Sequence, residues 1–416
     1  MKKQKGKKDI EQIIPDKEIR QDILRGLYEG KSLLGKEGVF TDLLQGFVNA
    51  ALEGEMDEHM ELSKERGEEN RRNGHIKKQL KSDLGKVSIK TPRDRNGEFE
   101  PELVKKRSRS LTTGIDSIIL SLYARGHSIE DVRRHIEEIY GIQMSAGSIS
   151  AVTQRVWQEV LDWQQRPLDH CYVLIYLDAI HYKVRKDHHV GVQAIYSVYA
   201  VDTEGKRDIL GLYIGQNEGA NKWGLILEDL KRRGVQDVFF FSIDGLSGFK
   251  QVIEYVFPQS IVQRCVVHML RDSTRFVNYK HREKIYRDLR KVYKAADETQ
   301  AQQAFELFRQ KWDKQYPRVS KKWQSNWKDL MVYMNYTQRL RTMLYTTNPV
   351  EALHRIMRKT TKAKGAWSTE NGLIKQLYLS LKYNKKSWNG QVMHWNPVRR
   401  EIINKFGDRF TKWIVE

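Results

Sequence analysis

The sequence predicts an α/β fold, with a sheet that is half antiparallel and half parallel, preceded by a helical region and interrupted by a long all-helical run. Three observations carry that prediction. Residues 171–265 hold apolar strand patterns in the order strand, strand, strand, helix, strand, helix, strand. Residues 267–345 show helical periodicity alone. Between 113 and 165, helical stretches are separated by short Gly-containing breaks.

Residues 1–65 read as a helical N-terminal unit, with Phe40, Leu43, Leu44, Phe47, Val48, Ala51 and Leu52 at helical spacing, as in a packing or dimerising helix. Residues 66–112 read as a basic arm or small ribbon. Charge clusters there in Arg71-Arg72, Lys77-Lys78, Arg93-Asp94-Arg95 and Lys105-Lys106-Arg107, and Val87-Ser88-Ile89-Lys90 alternates like a strand. Asn96-Gly97 is a hairpin-turn signal before Phe99. From 113 to 165, breaks at Gly126-His127-Ser128 and at Tyr140 to Ser145 divide the helices, with Ser128 and Ser145 as N-caps. The spacing fits a helix-turn-helix whose second helix enters a DNA major groove.

Tyr172 to Leu177 forms a continuous apolar strand ending in Asp178. Strands over Val190–Val201 and Arg207–Ile214, a helix over Trp223–Arg233, a strand over Val238–Ile243 ending in Asp244, a helix over Leu246–Phe257 and a strand over Ser260–Cys265 follow. In 267–345 the apolar set, including Phe305, Phe308, Trp312, Trp323 and Leu330, reads as core. Asn348-Pro349 then starts a helix through Glu351, Leu353, Ile356 and Met357.

Composition narrows the function. The chain has 416 residues and 73 Lys plus Arg against 53 Asp plus Glu, a net charge of +20. That excess points to a nucleic-acid partner, because neutralising phosphates releases counterions. No apolar run reaches membrane length, and the basic N-terminus is followed by Asp9 and Glu11 rather than an apolar stretch, so secretion and membrane insertion are not expected. Two cysteines, Cys171 and Cys265, make no disulfide framework and fit a reducing cytoplasm.

Side chains at the carboxyl ends of strands in an α/β sheet gather at sites. If the strands ending in Asp178 and Asp244 are adjacent and parallel, the two acids emerge together and repel unless a cation lies between them. Mg²⁺ suits such oxygen donors and leaves positions for phosphate. Glu351 is the best third acid, since it opens a helix whose basic residues Arg355, Arg358, Lys359, Lys362 and Lys364 follow. Arg358 stands seven residues on, two turns along the same face.

Leu177-Asp178-Ala179, Ile243-Asp244-Gly245-Leu246 and Thr346-Thr347-Asn348-Pro349-Val350-Glu351, with Arg358 beyond, resemble the blocks of the IS256 or Mutator-type family of DDE transposases. Pro92-Arg93-Asp94-Arg95-Asn96-Gly97-Glu98-Phe99-Glu100-Pro101 is similar to another stretch of that family, as is Ile209-Leu210-Gly211, and the resemblance spans roughly 40–410. It implies an RNase H-like catalytic core in two parts, 170–266 and 346–416, interrupted by the helical insertion 267–345 and preceded by the helical DNA-binding region 113–165. It implies that Asp178, Asp244 and Glu351 are the catalytic, metal-binding triad for two Mg²⁺ ions, with Mn²⁺ as a substitute. Arg358 is then the basic residue after the glutamate.

The implied function is that of a bacterial insertion-sequence transposase, which binds terminal inverted repeats and carries out metal-dependent DNA cleavage and strand transfer. Its partners are double-stranded DNA, both element ends and target, and a second copy in a homodimer. Arg355, Arg358, Lys359, Lys362, Arg93 and Arg95 are candidate DNA contacts. Cys265-Val266-Val267-His268 matches the family's Cys-x-x-His pair; without a second pair at zinc spacing, it reads as structural or DNA-contacting. His181, His188 and His189 read as a surface group. Two other readings stand beside the transposase. A non-catalytic DNA-binding regulator derived from a transposase is disfavoured by the presence of all three acids, and an RNase H-like nuclease without strand transfer would not need the large N-terminal region.

Overall fold

A computed structural model of the chain describes residues 17–31, 38–82, 85–106, 108, 114–140, 142–186, 189–216, 219–345, 348–362 and 364–414. Arg107, Arg109, His188, Thr346 and Thr347 lie outside them. The chain divides into two compact units, Met1–Arg155 and Val156–Glu416. No described helix is long and apolar enough to cross a membrane.

The first unit opens with helices α1 (Lys17–Tyr28) and α2 (Val39–Glu65), then an antiparallel hairpin of β1 (Arg72–Ser82) and β2 (Gly85–Asp94). Val48 and Leu52 of α2 share a core with Leu80, Val87, Ile89 and Val104. Period-two alternation aims Val87 and Ile89 at the helix. Gln45 and Asn49, one turn apart on α2, accept hydrogen bonds from the backbone N–H groups of Ser88 (3.1 Å) and Lys90 (2.8 Å). The hairpin edge is thereby covered by side chains rather than left open to another strand.

Asn96-Gly97 is not the hairpin turn. β2 pairs with the strand before it, and the chain after Asp94 forms a loop in which Gly97 takes φ +76°. The buried Asp94 carboxylate organises that loop by accepting from the backbone N–H groups of Glu98 (3.1 Å) and Phe99 (3.2 Å) and from Asn70 (3.0 Å). A local side-chain acceptor has captured the turn signal.

Three helices follow: α3 (Gly114–Ala124), α4 (Ile129–Tyr140) and α5 (Ala146–Gln165). Ile115, Ile119, Val132, Ile136, Ile142, Met144, Ile149 and Val152 form their common core. Ser128 caps α4 reciprocally: its Oγ accepts from Asp131 N (3.1 Å) and its own N–H donates to Asp131 Oδ2 (2.9 Å). Ser145 Oγ accepts from Ser148 N (3.0 Å) and caps α5.

The second unit is built on a five-stranded sheet in the order β5-β4-β3-β6-β7, comprising β3 (Cys171–Lys186), β4 (His189–Asp202), β5 (Arg207–Gly215), β6 (Asp237–Ile243) and β7 (Ile261–Arg264). β3, β4 and β5 pair antiparallel, and β6 and β7 continue parallel to β3. Every residue of β6 is buried, as a parallel strand covered on both faces requires. Helix α6 (Ala220–Arg232) links β5 to β6 and α7 (Phe249–Val256) links β6 to β7. Trp223 of α6 stacks on Phe249 of α7 at 4.8 Å and meets Tyr196 of β4 edge-on, sealing one sheet face.

One strand differs from expectation. β3 does not end at Asp178 but runs eight residues further, because β4 stays paired with it to Lys186↔His189. Only the pairing with β6 stops at Leu177↔Ile243.

After β7 come α8 (Val266–Thr274), α9 (Tyr279–Tyr293), α10 (Glu298–Trp312), α11 (Pro317–Ser325), α12 (Trp327–Leu330) and, after a 3₁₀ turn, α13 (Gln338–Tyr345). Phe305, Phe308, Trp312, Trp323 and Leu330 are buried in this helical segment. Helix α14 (Asn348–Thr361) returns to the sheet, followed by α15 (Glu370–Tyr383), α16 (Lys385–Trp388), α17 (Trp395–Phe406) and α18 (Asp408–Thr411). Arg409 ties the last helix to the start of β6 through Asp237 (2.7 Å) while lying over Phe239 at 4.4 Å.

Candidate active site

The parallel register of β3 and β6 ends at Leu177↔Ile243, so the next residue on each strand is an aspartate, Asp178 and Asp244. Two neighbouring strands therefore release their carboxylates at one level. Asp178 is 7% exposed and faces Ser197 across the antiparallel pair with β4. Its Oδ2 lies 3.5 Å from Nδ1 of His354, whose Nε2 lies 3.2 Å from Ser197 Oγ. Burial, with Arg358 and His268 adding repulsion, pushes the His354 pKa down to about 3. At neutral pH the ring is uncharged, so it orients Asp178 by contact rather than as an ion pair.

Asp244 leaves the sheet at a tight turn, and its Oδ1 accepts from Leu246 N (3.1 Å). The Gly245 beside it has a packing reason. A Cβ there would collide with the Arg264 guanidinium, which is itself held by Asn326 and reaches Gly245 O at 3.4 Å. The helix expected from Leu246 starts only at Phe249, since 246–248 are spent on this turn and Gly248 adopts φ +78° as its N-cap.

Glu351 sits in the first turn of α14, three residues before His354, so Glu351 and His354 share a helix face. Arg271 of α8 holds the glutamate, with Nη1 2.6 Å from Oε1. That bond raises the Arg271 pKa, against its burial, and Asp178 adds to the same effect through space. His268, one turn earlier on α8, is pushed down by burial while Asp244 and Glu351 pull it back up. Its buried Nδ1 has no hydrogen-bond partner among the described residues. Both basic groups of α8 thus lie within the field of the acids.

Cys265 is fully buried and serves as the N-cap of α8: its Sγ accepts from the backbone N–H of His268 at 3.5 Å, and its own N–H donates to Ile243 O at 2.7 Å. The cysteine and histidine spacing is thus a capping turn that hangs α8 from the end of β6, next to Asp244. Arg355, Arg358, Lys359 and Lys362 are exposed along α14, beyond Glu351. Arg93 and Arg95 are exposed in the first unit, at the end of strand β2 and just after it, and His181 and His189 are exposed on β3 and β4.

Among the described residues, no three His, Cys, Asp or Glu side chains are drawn together as ligands of one ion. Asp178 and Asp244 share the end of the β3–β6 pairing, whereas Glu351, on α14, is neutralised by Arg271. As a donor set they are all carboxylate oxygens, the ligand type that a hard divalent cation takes. The residues fit such a cation once Glu351 is released from Arg271.

Spacing along the chain marked the three acids, the basic row and the capped cysteine. It missed His354, Arg271, Arg264 and Ser197. His354 alone left a local signal, a polar residue on the inward face of α14 between the buried Leu353 and Met357.

Residues 18–391 match the family model described as Transposase, Mutator family. The chain is 37% identical, over 95% of its length and 99% of the relative's, to the probable transposase for insertion sequence element ISRM3-like of Sinorhizobium fredii (strain NBRC 101917 / NGR234). The transposase for insertion sequence element ISRM3 of Rhizobium meliloti (strain 1021) matches at the same identity and coverage. The transposase for insertion sequence element IS256 in transposon Tn4001 of Staphylococcus aureus is 26% identical over 65% of this chain and 70% of its own length.

Proposed function

Because the chain belongs to the Mutator family of transposases, we propose that it moves a bacterial insertion sequence by DDE chemistry, cutting and joining double-stranded DNA at Asp178, Asp244 and Glu351. The observation that supports this reading is the register of β3 and β6, which sets Asp178 and Asp244 at matching positions, with His354 of α14 against Asp178 and Glu351 one turn before it on the same helix. The strand order β5-β4-β3-β6-β7, with a helical segment between β7 and α14, supports an RNase H-like core with an insertion. The capped helices α4 and α5 support a helix-turn-helix in the first unit.

Asp178, Asp244 and Glu351 would hold two Mg²⁺ ions, or Mn²⁺ in their place, and the chemistry supplied there is charge stabilisation of the attacking and leaving oxygens of a phosphodiester. His354 holds Asp178 in place by contact. Arg271 neutralises Glu351, a role that a bound cation would supply in its place. Arg355, Arg358, Lys359 and Lys362 bind the DNA backbone as it passes along α14, while Arg93 and Arg95 add phosphate contacts from the hairpin. Hydrolysis at an element end frees a 3′-hydroxyl. That hydroxyl then attacks a target phosphodiester, forming one ester bond as another breaks, so no covalent protein intermediate is required. Two element ends brought together call for two copies of the chain.

The test is joining of a labelled element end to a target plasmid by purified protein in Mg²⁺. Joined 3′ ends are expected. Hydrolysis without any joined product would contradict strand transfer and leave a nuclease.

A further inference from the structure

Two large aromatic side chains stand out in solvent where α8 gives way to α9: Phe276 is 73% exposed and Tyr279 is 84% exposed. Their backbone is not loose. Val277 N–H donates to Thr274 O (3.1 Å), Arg282 Nε donates to Val277 O (3.0 Å), Thr274 Oγ1 and Tyr286 OH are hydrogen-bonded at 2.7 Å, and Asn278 caps α9 by accepting from Lys280 N (3.1 Å). The rings are thus presented on a pinned turn. Beside Phe276 opens a cavity of about 430 Å³ lined by Phe276, Val277, Tyr316, Pro317, Arg318 and Lys322.

The charge around the rings selects the occupant. Arg275 lies over the Phe276 ring at 5.9 Å, Lys280 is exposed four residues on, and the exposed Arg318 lines the same cavity. The only acid lining the cavity, Asp272, is paired with Lys322 at 2.9 Å. An apolar surface set beside exposed cations suits a ligand with a flat apolar face and an anionic chain, which describes a nucleotide strand. Position agrees. α8 starts at the end of β6 and carries His268 and Arg271 past the acids. Phe276 lies eight residues beyond His268, roughly 12 Å at the rise of a helix. That is about three to four base steps of B-form DNA.

We propose that Phe276 and Tyr279 form a stacking platform for an unpaired base of the DNA strand held at the acidic site, with Arg275 and its neighbours taking the flanking phosphates. This inference rests on the reading of the protein as a DNA-cutting enzyme, yet its test uses binding alone. Full-length protein in EDTA is titrated into two labelled probes of one sequence, a perfect duplex and a duplex with a short unpaired segment carrying 2-aminopurine. Wild-type protein should bind the unpaired probe more tightly and quench its 2-aminopurine. Phe276→Ala and Tyr279→Ala should each weaken binding to the unpaired probe about tenfold, with duplex affinity unchanged within about twofold. Phe276→Trp should retain binding and quenching, whereas Phe276→Leu, equally apolar, should lose both.

Equal weakening on both probes, or full binding by Phe276→Leu, would overturn the platform while leaving the DNA-cutting reading intact. A change in sedimentation without a change in DNA binding would assign the rings to a second copy and overturn it too. Failure of the wild-type protein to bind either probe would remove the reading beneath it as well.

Discussion

Each acid of the site is held by a different neighbour, and the neighbours come from three elements. Asp178 rests against the neutral His354 of α14, Asp244 accepts from its own turn, and Glu351 is bonded to Arg271 of α8 at 2.6 Å. The Arg271 bond is the one that opposes cation binding, because a guanidinium and a divalent ion compete for the same carboxylate. Arg271→Ala should therefore raise Mn²⁺ affinity in the absence of DNA by about tenfold, equivalent to roughly 1.4 kcal/mol, in a calorimetric or electron-spin titration. Unchanged affinity would show that Arg271 does not guard Glu351. Gly245 offers a second test. A methyl group there must displace Arg264, so Gly245→Ala should lower thermal stability and reduce cleavage, whereas the double variant with Arg264→Ala should recover stability.

At the scale of elements, what could be read from the sequence was what repeats locally. Apolar runs marked β3 and β6, the serines marked the starts of α4 and α5, and Asn348-Pro349 marked α14. What escaped depended on distant partners. β3 outlasts Asp178 because β4 pairs with it for eight more residues, and no pattern within β3 announces that. Asn96-Gly97 carries the right residues for a hairpin, yet Asp94 bends the chain into a different loop. Arg271 and Arg264 look like any surface arginine until α8 and the Asp244 turn are in place. Two predictions belong here. Ser128→Ala removes the Oγ half of the reciprocal cap of α4 and should cost about 1 kcal/mol in denaturant unfolding. On α14, Arg358→Gln with Lys362→Gln should weaken DNA binding at every sequence tested and lower the slope of log K against log salt by about 2, since each phosphate contact contributes about 0.9. A slope unchanged by the pair would place the DNA elsewhere.

At the scale of the whole molecule, a net charge of +20 coexists with two aspartates at the end of the β3–β6 pairing and a glutamate at the start of α14 in the second unit. Exposed basic residues follow Glu351 along the chain, so cations that attract phosphate stand next in sequence to a group proposed to cut DNA. In the proposed function, the hairpin and the capped helices of the first unit recognise an element end. This division of labour predicts that loss of an acid leaves DNA binding intact. The most direct measurement is cleavage and strand transfer from a supercoiled donor by Asp178→Asn, Asp244→Asn and Glu351→Gln, each alongside its DNA affinity in EDTA. All three should lose activity by at least about a thousandfold, the order of loss when charge stabilisation at a reacting centre is removed, with affinity held within a few fold. Cleavage near the wild-type rate by any one of them would contradict the assignment of the site.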